Sequence, residues 1–182
     1  MELKVIRGDR LLTQFNEDST YNQLYTGIVQ AFPNTRKRQN ATAPVVVSRI
    51  EYVPYVNNGV LRVEAEARNG PGRYQPVIQF REVSFAEQGA SNTVTFRAAD
   101  GQEYGIVPIR LAGSNIKVRC TCLDFYHRFS MHNHSDGSLA GNPPPPYVPK
   151  GGRPSVNPTQ TPGVCKHIIK LVEQLKRARI VT

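Results

Sequence analysis

From Val45 to Gly113 the chain alternates. In "VLRVEAEAR" (60–68), Leu61, Val63, Ala65 and Ala67 fall on one side and Arg62, Glu64, Glu66 and Arg68 on the other. That period of two marks a strand with one buried face. The stretches "VVVSRIEYVPYV" (45–56), "YQPVIQFREVSF" (74–85), "NTVTFRAA" (92–99) and "EYGIVPIRLAG" (103–113) continue the pattern. The first of them reads either as a strand pair or as one bent strand, broken near Pro54. Turn cues lie between them: "NNG" (57–59), "NGPGR" (69–73), "EQGAS" (87–91) and "DGQ" (100–102). Short strands with frequent turns and no helical period predict an antiparallel sandwich or small barrel over about residues 45–112.

Helical spacing occurs at the two ends. Tyr21, Leu24, Tyr25, Ile28 and Phe32 recur at intervals of three and four, with Asp18 or Ser19 able to cap the start and Pro33 closing the end. Ile168, Leu171, Val172 and Leu175 form a second apolar stripe, backed by Lys170, Glu173, Gln174 and Lys176, with Pro162 near its start. Between the β-region and this last helix, "NIKVRCTCLDFYHRF" (115–129) reads as one more strand. The following segment, rich in Pro, Gly, Ser and Asn, reads as a long loop of partly polyproline character, because Pro fixes φ and offers no N–H. Loops of that length are usually functional or packed on a partner.

Three segments result: an N-terminal helix and linker (1–44), an antiparallel β-domain (45–112) and a C-terminal module (113–182). The fold class is α+β.

The whole chain has 182 residues, 39% of them hydrophobic and 20% charged, which suits a folded protein with a real core. No apolar run approaches the ~20 residues needed to cross a bilayer, so no membrane role is expected. The opening "MELKVIRGDRLL" lacks the apolar core of a signal peptide, which predicts synthesis in the cytoplasm, where thiols stay reduced. The formal net charge is +9. It is spread: residues 1–119 hold 15 Lys and Arg against 11 Asp and Glu, and residues 120–182 hold 8 against 3. Arg36, Lys37 and Arg38 form one basic cluster, a candidate contact for phosphate or an acidic partner. The tail with Lys166, Lys170, Lys176, Arg177 and Arg179 forms another. Nucleic acid is therefore a candidate partner, although the chain has no Trp and no evident base-stacking platform.

Only three cysteines are present, and their placement changes the picture. Cys120 and Cys122 stand one residue apart, and Cys165 stands one residue from His167. A C-x-C pair closes too short a loop for an unstrained disulfide. Two strand residues two apart share a face, so both thiolates can point at one spot. Cys165 and His167 straddle the predicted helix start, where the backbone can turn both side chains inward and the helix N-terminus favours a thiolate. Three sulfurs and one imidazole make a closed tetrahedral set, the pattern of structural zinc. A disulfide such as Cys120–Cys165 is the alternative. Asp124 reads either as a surface carboxylate or as an acceptor for the second nitrogen of His167.

The order C-x-C … C-x-H, strand before helix, resembles the SWIM zinc finger over roughly residues 114–176. The resemblance implies a ββα-like module with structural zinc and a role in binding DNA or other proteins. The 42 residues between Cys122 and Cys165 exceed the family's usual spacing, which leaves room for His127, His132 or His134 to replace His167. The wider pattern "AFPNTRKRQ", "CTCLDFYHRF", "PPPPY" and "PGVCKH" resembles virion-associated proteins of T-even-like tailed bacteriophages. That resemblance implies a structural assembly component of the particle (neck, tail, baseplate or head), located in the virion and contacting other virion proteins in a homo- or hetero-oligomeric assembly. The alternative is a zinc-stabilised nucleic-acid-binding module. Tyr147, after four prolines, is a candidate partner contact. No nucleotide-binding, zinc-protease or serine-hydrolase motif is present, and no enzyme is expected.

Overall fold

The computed structural model describes residues 19–33, 42–86, 90–147, 151 and 154–182. The alternation at 60–68 sets the centre of the molecule. Strand β2 (Val60–Asn69) buries Leu61, Val63, Ala65 and Ala67 in turn. Its other face pairs Arg62 with Glu64 and Arg68 with Glu66, same-face neighbours two residues apart. Strand β1 (Val45–Tyr55) runs antiparallel to β2 as one bent strand. The bend is a bulge between Ser48 and Glu51, where Arg49 takes φ 49°. Pro54 causes no break, because β1 is the outer strand of its sheet and a missing N–H is tolerated at an edge.

The chain turns at 56–58, with Gly59 at φ 60°, and returns as β2, followed by β3 (Gly72–Tyr74) and β4 (Pro76–Phe80). Strand β5 (Phe85–Ala86), β6 (Val94–Arg97) and β7 (Glu103–Ile106) form a separate antiparallel sheet of order β5-β7-β6. Strand β8 (Ile116–Cys120) then rejoins the first sheet beside β4, giving the order β1-β2-β4-β8 with β3 on β2. The expected antiparallel character is present. The sheets are two and separate, and among the described residues neither closes into a barrel.

Helix α1 (Tyr21–Ala31) starts at a capping box formed by Thr20 and Gln23, one residue beyond the expected caps, and buries Tyr21, Leu24 and Ile28. The C-terminal helix, whose predicted stripe is buried in full, lies against β1, β4 and β8. Each of Ile168, Leu171, Val172 and Leu175 contributes roughly 1.5–3 kcal/mol by leaving water. The chain end then pairs with residues 109–111, through Thr182 N–H to the Ile109 carbonyl at 2.8 Å and Leu111 N–H to the Thr182 carbonyl at 3.0 Å. The three predicted segments share one hydrophobic core, which runs from Tyr21 through Leu61 and Phe96 to Val181.

Two predictions that bear on the site need correction, the single strand over 115–129 and the loop from Ser130 onward. "NIKVRCTCLDFYHRF" is not one strand. The strand ends at Cys120, and two helices follow, α2 (Leu123–Arg128) and α3 (Ser130–Asp136). The reason is a stripe of buried side chains at helical spacing: Cys122, Phe125, Phe129 and Asn133. Gly137, at φ 83°, stops α3. Residues 138–140 then run beside β8, with Val118 N–H donating to the Ser138 carbonyl and Ala140 N–H to the Val118 carbonyl. The free edge of β8 is thereby covered. Helix α4 (Lys166–Arg177) follows the loop.

Candidate metal centre

The end of β8 and the start of α4 meet at four side chains. Cys120 is the last residue of β8, and the alternation that buries Ile116 and Val118 turns its thiol inward as well. Thr121 points the other way and accepts from the Gln75 N–H at 2.9 Å, fixing the strand end. Cys122 sits in extended backbone as the N-cap of α2, and its sulfur accepts from the Phe125 N–H at 3.3 Å. Cys165 is the N-cap of α4 in the same extended conformation, and His167 lies in that helix's first turn. The Cys–His pair stands at a helix mouth as expected, whereas Cys122 lies past the strand end as the N-cap of α2 and not on the strand with Cys120.

The ligand atoms of Cys120, Cys122, Cys165 and His167 lie within 4.8 Å of one another, and all four residues are buried. The Nδ1 of His167 stands 3.8 Å from the Cys120 sulfur and 3.9 Å from the Cys165 sulfur. Donors about 2.0–2.3 Å from a common tetrahedral centre are separated by about 3.6 Å, so the cluster is close to the spacing a bound ion requires. All three cysteines are free thiols, with no disulfide between Cys120 and Cys165. The histidine in the cluster is His167. His127 packs against Tyr147 instead, and neither His132 nor His134 belongs to the group.

Hydrogen bonding to Cys122 pushes the Cys120 thiol up from its ordinary value, and the same contact pulls Cys122 down. Burial, with both neighbouring sulfurs, pushes Cys165 up. Three thiolates cannot coexist in so dry a place without a cation to offset them. The donor set, three sulfurs and one nitrogen from four buried residues, could hold a metal ion of borderline-soft character.

The ring of His167 is held by Tyr74, whose centroid lies 4.3 Å away. Its Nε2 is buried, with no hydrogen-bond partner among the described residues. Asp124, a sequence candidate for that role, pairs with Arg128 at 3.0 Å. Burial raises the Asp124 carboxyl above its usual range.

Two further features hold the loop that leads to Cys165 and were not read from the sequence. Asn133, fully buried on α3, clasps Gly163: its Oδ1 accepts from the Gly163 N–H at 2.8 Å, and its Nδ2 donates to the Gly163 carbonyl at 3.1 Å. Asn157, also buried, donates to the carbonyls of Arg128 and Thr161 and accepts from the Thr161 N–H. These two amides bring the returning chain back to the helix that begins at Cys165. Of the candidate partner contacts, Tyr147 lies on the surface with its ring 4.2 Å from that of His127. Arg36, Lys37 and Arg38 lie outside the described residues.

Comparison with known proteins finds no matching family model, no matching curated protein and no matching solved structure. The Cys120–Cys122–Cys165–His167 cluster is thus defined by its own geometry.

Proposed function

We propose that this chain is a structural protein whose C-terminal half is stapled by zinc at Cys120, Cys122, Cys165 and His167, and that it works through contacts with other proteins. The observation that carries this reading is the buried convergence of those four donors from both ends of a 42-residue excursion. Four protein ligands leave no open coordination position, which suits a staple and not a catalyst. Zinc binding of the kind known in small modules is worth on the order of 10 kcal/mol, enough to fix a segment whose loops contribute little core. The SWIM resemblance rests on the donor order, and a strand ends at the first cysteine of its first pair. On this reading the protein is not an enzyme.

The assembly we assign it to is a tailed-phage particle, on the resemblance of its cysteine and proline motifs. The test is peptide mass spectrometry on gradient-purified particles of the encoding phage. A fixed ratio to the major shell protein is expected. Absence from clean particles would remove the virion role.

A second reading is favoured by the exposure of Lys176, Arg177 and Arg179 at the end of α4. There the zinc module would set a basic helix end on nucleic-acid phosphate. It requires DNA affinity that falls steeply with salt, in proportion to the phosphates contacted. A flat salt dependence would remove it.

A further inference from the structure

The run "NPPPPY" (142–147) forms an exposed rim beside the zinc site. Each proline fixes φ near −65° and favours an extended residue before it, so the composition of the run favours polyproline II with three residues per turn. The side-chain contacts with the protein follow that period, although Tyr147 is itself exposed. Pro144 is half-buried on the wall of a groove of about 380 Å³ that Cys120, Leu123 and Tyr126 also line. Three residues on, Tyr147 packs its ring on His127. Pro143 and Pro146, also three apart, are exposed, and so are Asn142 and Pro145 on the remaining ridge. One ridge therefore faces the protein and two face away.

The run is tied down along its length. The Arg119 guanidinium donates to the carbonyls of Ala140 and Asn142, and the Tyr126 hydroxyl donates to the Pro145 carbonyl at 3.3 Å. These anchors come from β8 and α2, the elements that carry Cys120 and Cys122. No residue between Asp136 and Lys150 is charged, in a chain one-fifth of whose residues are. Interface cores are depleted of charge in the same way.

We infer that Pro143–Pro146 is a docking ledge for a partner protein whose binding groove is walled by aromatic side chains and accepts prolines three apart. The inference deepens the proposed protein-contact role, and rests on it, by naming the surface and the kind of groove that fits it. Pyrrolidine rings on a preformed extended helix pack on aromatic faces with little entropy left to lose. Anchoring by Arg119 and Tyr126 lowers that loss further. Tyr147 is a positioning residue that holds the ledge from behind.

The test is calorimetric titration of the full chain with two probes of this groove class, an isolated SH3 domain and an isolated WW domain. Saturable binding to at least one is expected. The double variant Pro143→Ala, Pro146→Ala weakens it by at least about tenfold, the loss that follows removal of a central contact. Tyr147→Ala weakens it less, and Tyr147→Phe restores it, because the ring and not the hydroxyl makes the contact with His127. Bound zinc and the thermal midpoint stay unchanged in all three variants, so a failure of the zinc staple is seen separately from a failure of docking. Absence of binding to either probe at millimolar concentration, or equal affinity for the double variant, overturns the ledge.

Discussion

The Sγ of Cys120 lies 3.8 Å from the Nδ1 of His167, although they stand 47 positions apart in sequence. That contact ties the last residue of β8 to the first turn of α4. If an ion holds it, removing one donor does more than weaken a metal. Cys165→Ser or His167→Ala is expected to lower zinc affinity by more than the 10–100-fold that loss of an outer hydrogen-bond partner costs, roughly speaking. Metal content after dialysis, with the far-ultraviolet spectrum, reads the effect. Full zinc retention in either variant contradicts the assignment of that ligand.

Gly163 is required for space, not for backbone freedom. A Cβ there would sit 2.2 Å from Cγ2 of Ile28 and 2.8 Å from Cε1 of Phe129. Gly163→Ala is therefore expected to destabilise by about 1–3 kcal/mol or more, as overpacked cores do. Chemical denaturation measures it. An unchanged midpoint would mean that α1 does not pack on this loop as described.

The two buried amides are separable from the metal. Asn133→Ala leaves the Gly163 N–H and carbonyl buried without partners, at a cost of about 1–3 kcal/mol for each orphaned group. Hydrogen exchange and proteolysis at residues 154–163 should rise while bound zinc stays at its original level. Loss of zinc together with the loop would show that the amide clasp and the staple form one unit.

Much of this architecture is legible in the residues. The alternation of Leu61, Val63, Ala65 and Ala67 gives the central strand, and the stripe from Ile168 to Leu175 gives α4, because each has one buried face and a clean period. The four clustered side chains are legible for a different reason: a chain with three cysteines places all of them at ligand spacing. Helices α2 and α3 escape notice because their buried stripe runs through Cys122 and Asn133, residues that propensity does not mark as a helical core. Phe125 and Phe129, four apart, were the available signal. The clasps made by Asn133 and Asn157 could not be read, since a lone Asn in a loop-like stretch looks solvated until a distant backbone is placed against it. The covering of β8 by Ser138–Ala140 is hidden for the same reason.

Alkaline pH supplies an independent check on α1. Burial, with Tyr25 and Glu173 nearby, holds the Tyr21 hydroxyl well above its ordinary value, and burial also raises Tyr52. A tyrosine that ionises more easily unfolded than folded gives up stability as pH rises past the unfolded value near 10. Stability should be level below that point and fall above it. Tyr21→Phe removes part of the fall. An identical alkaline profile in that variant would contradict the burial of Tyr21.

The most direct measurement is the metal content of the purified full chain by mass spectrometry of the elements, paired with thermal melting before and after a strong chelator. The staple predicts one zinc per chain, and a large fall in the melting midpoint when it is withdrawn, reversed by adding zinc back. A chain that carries no metal after purification in zinc-containing buffer, or that melts at the same temperature with and without chelator, would contradict it.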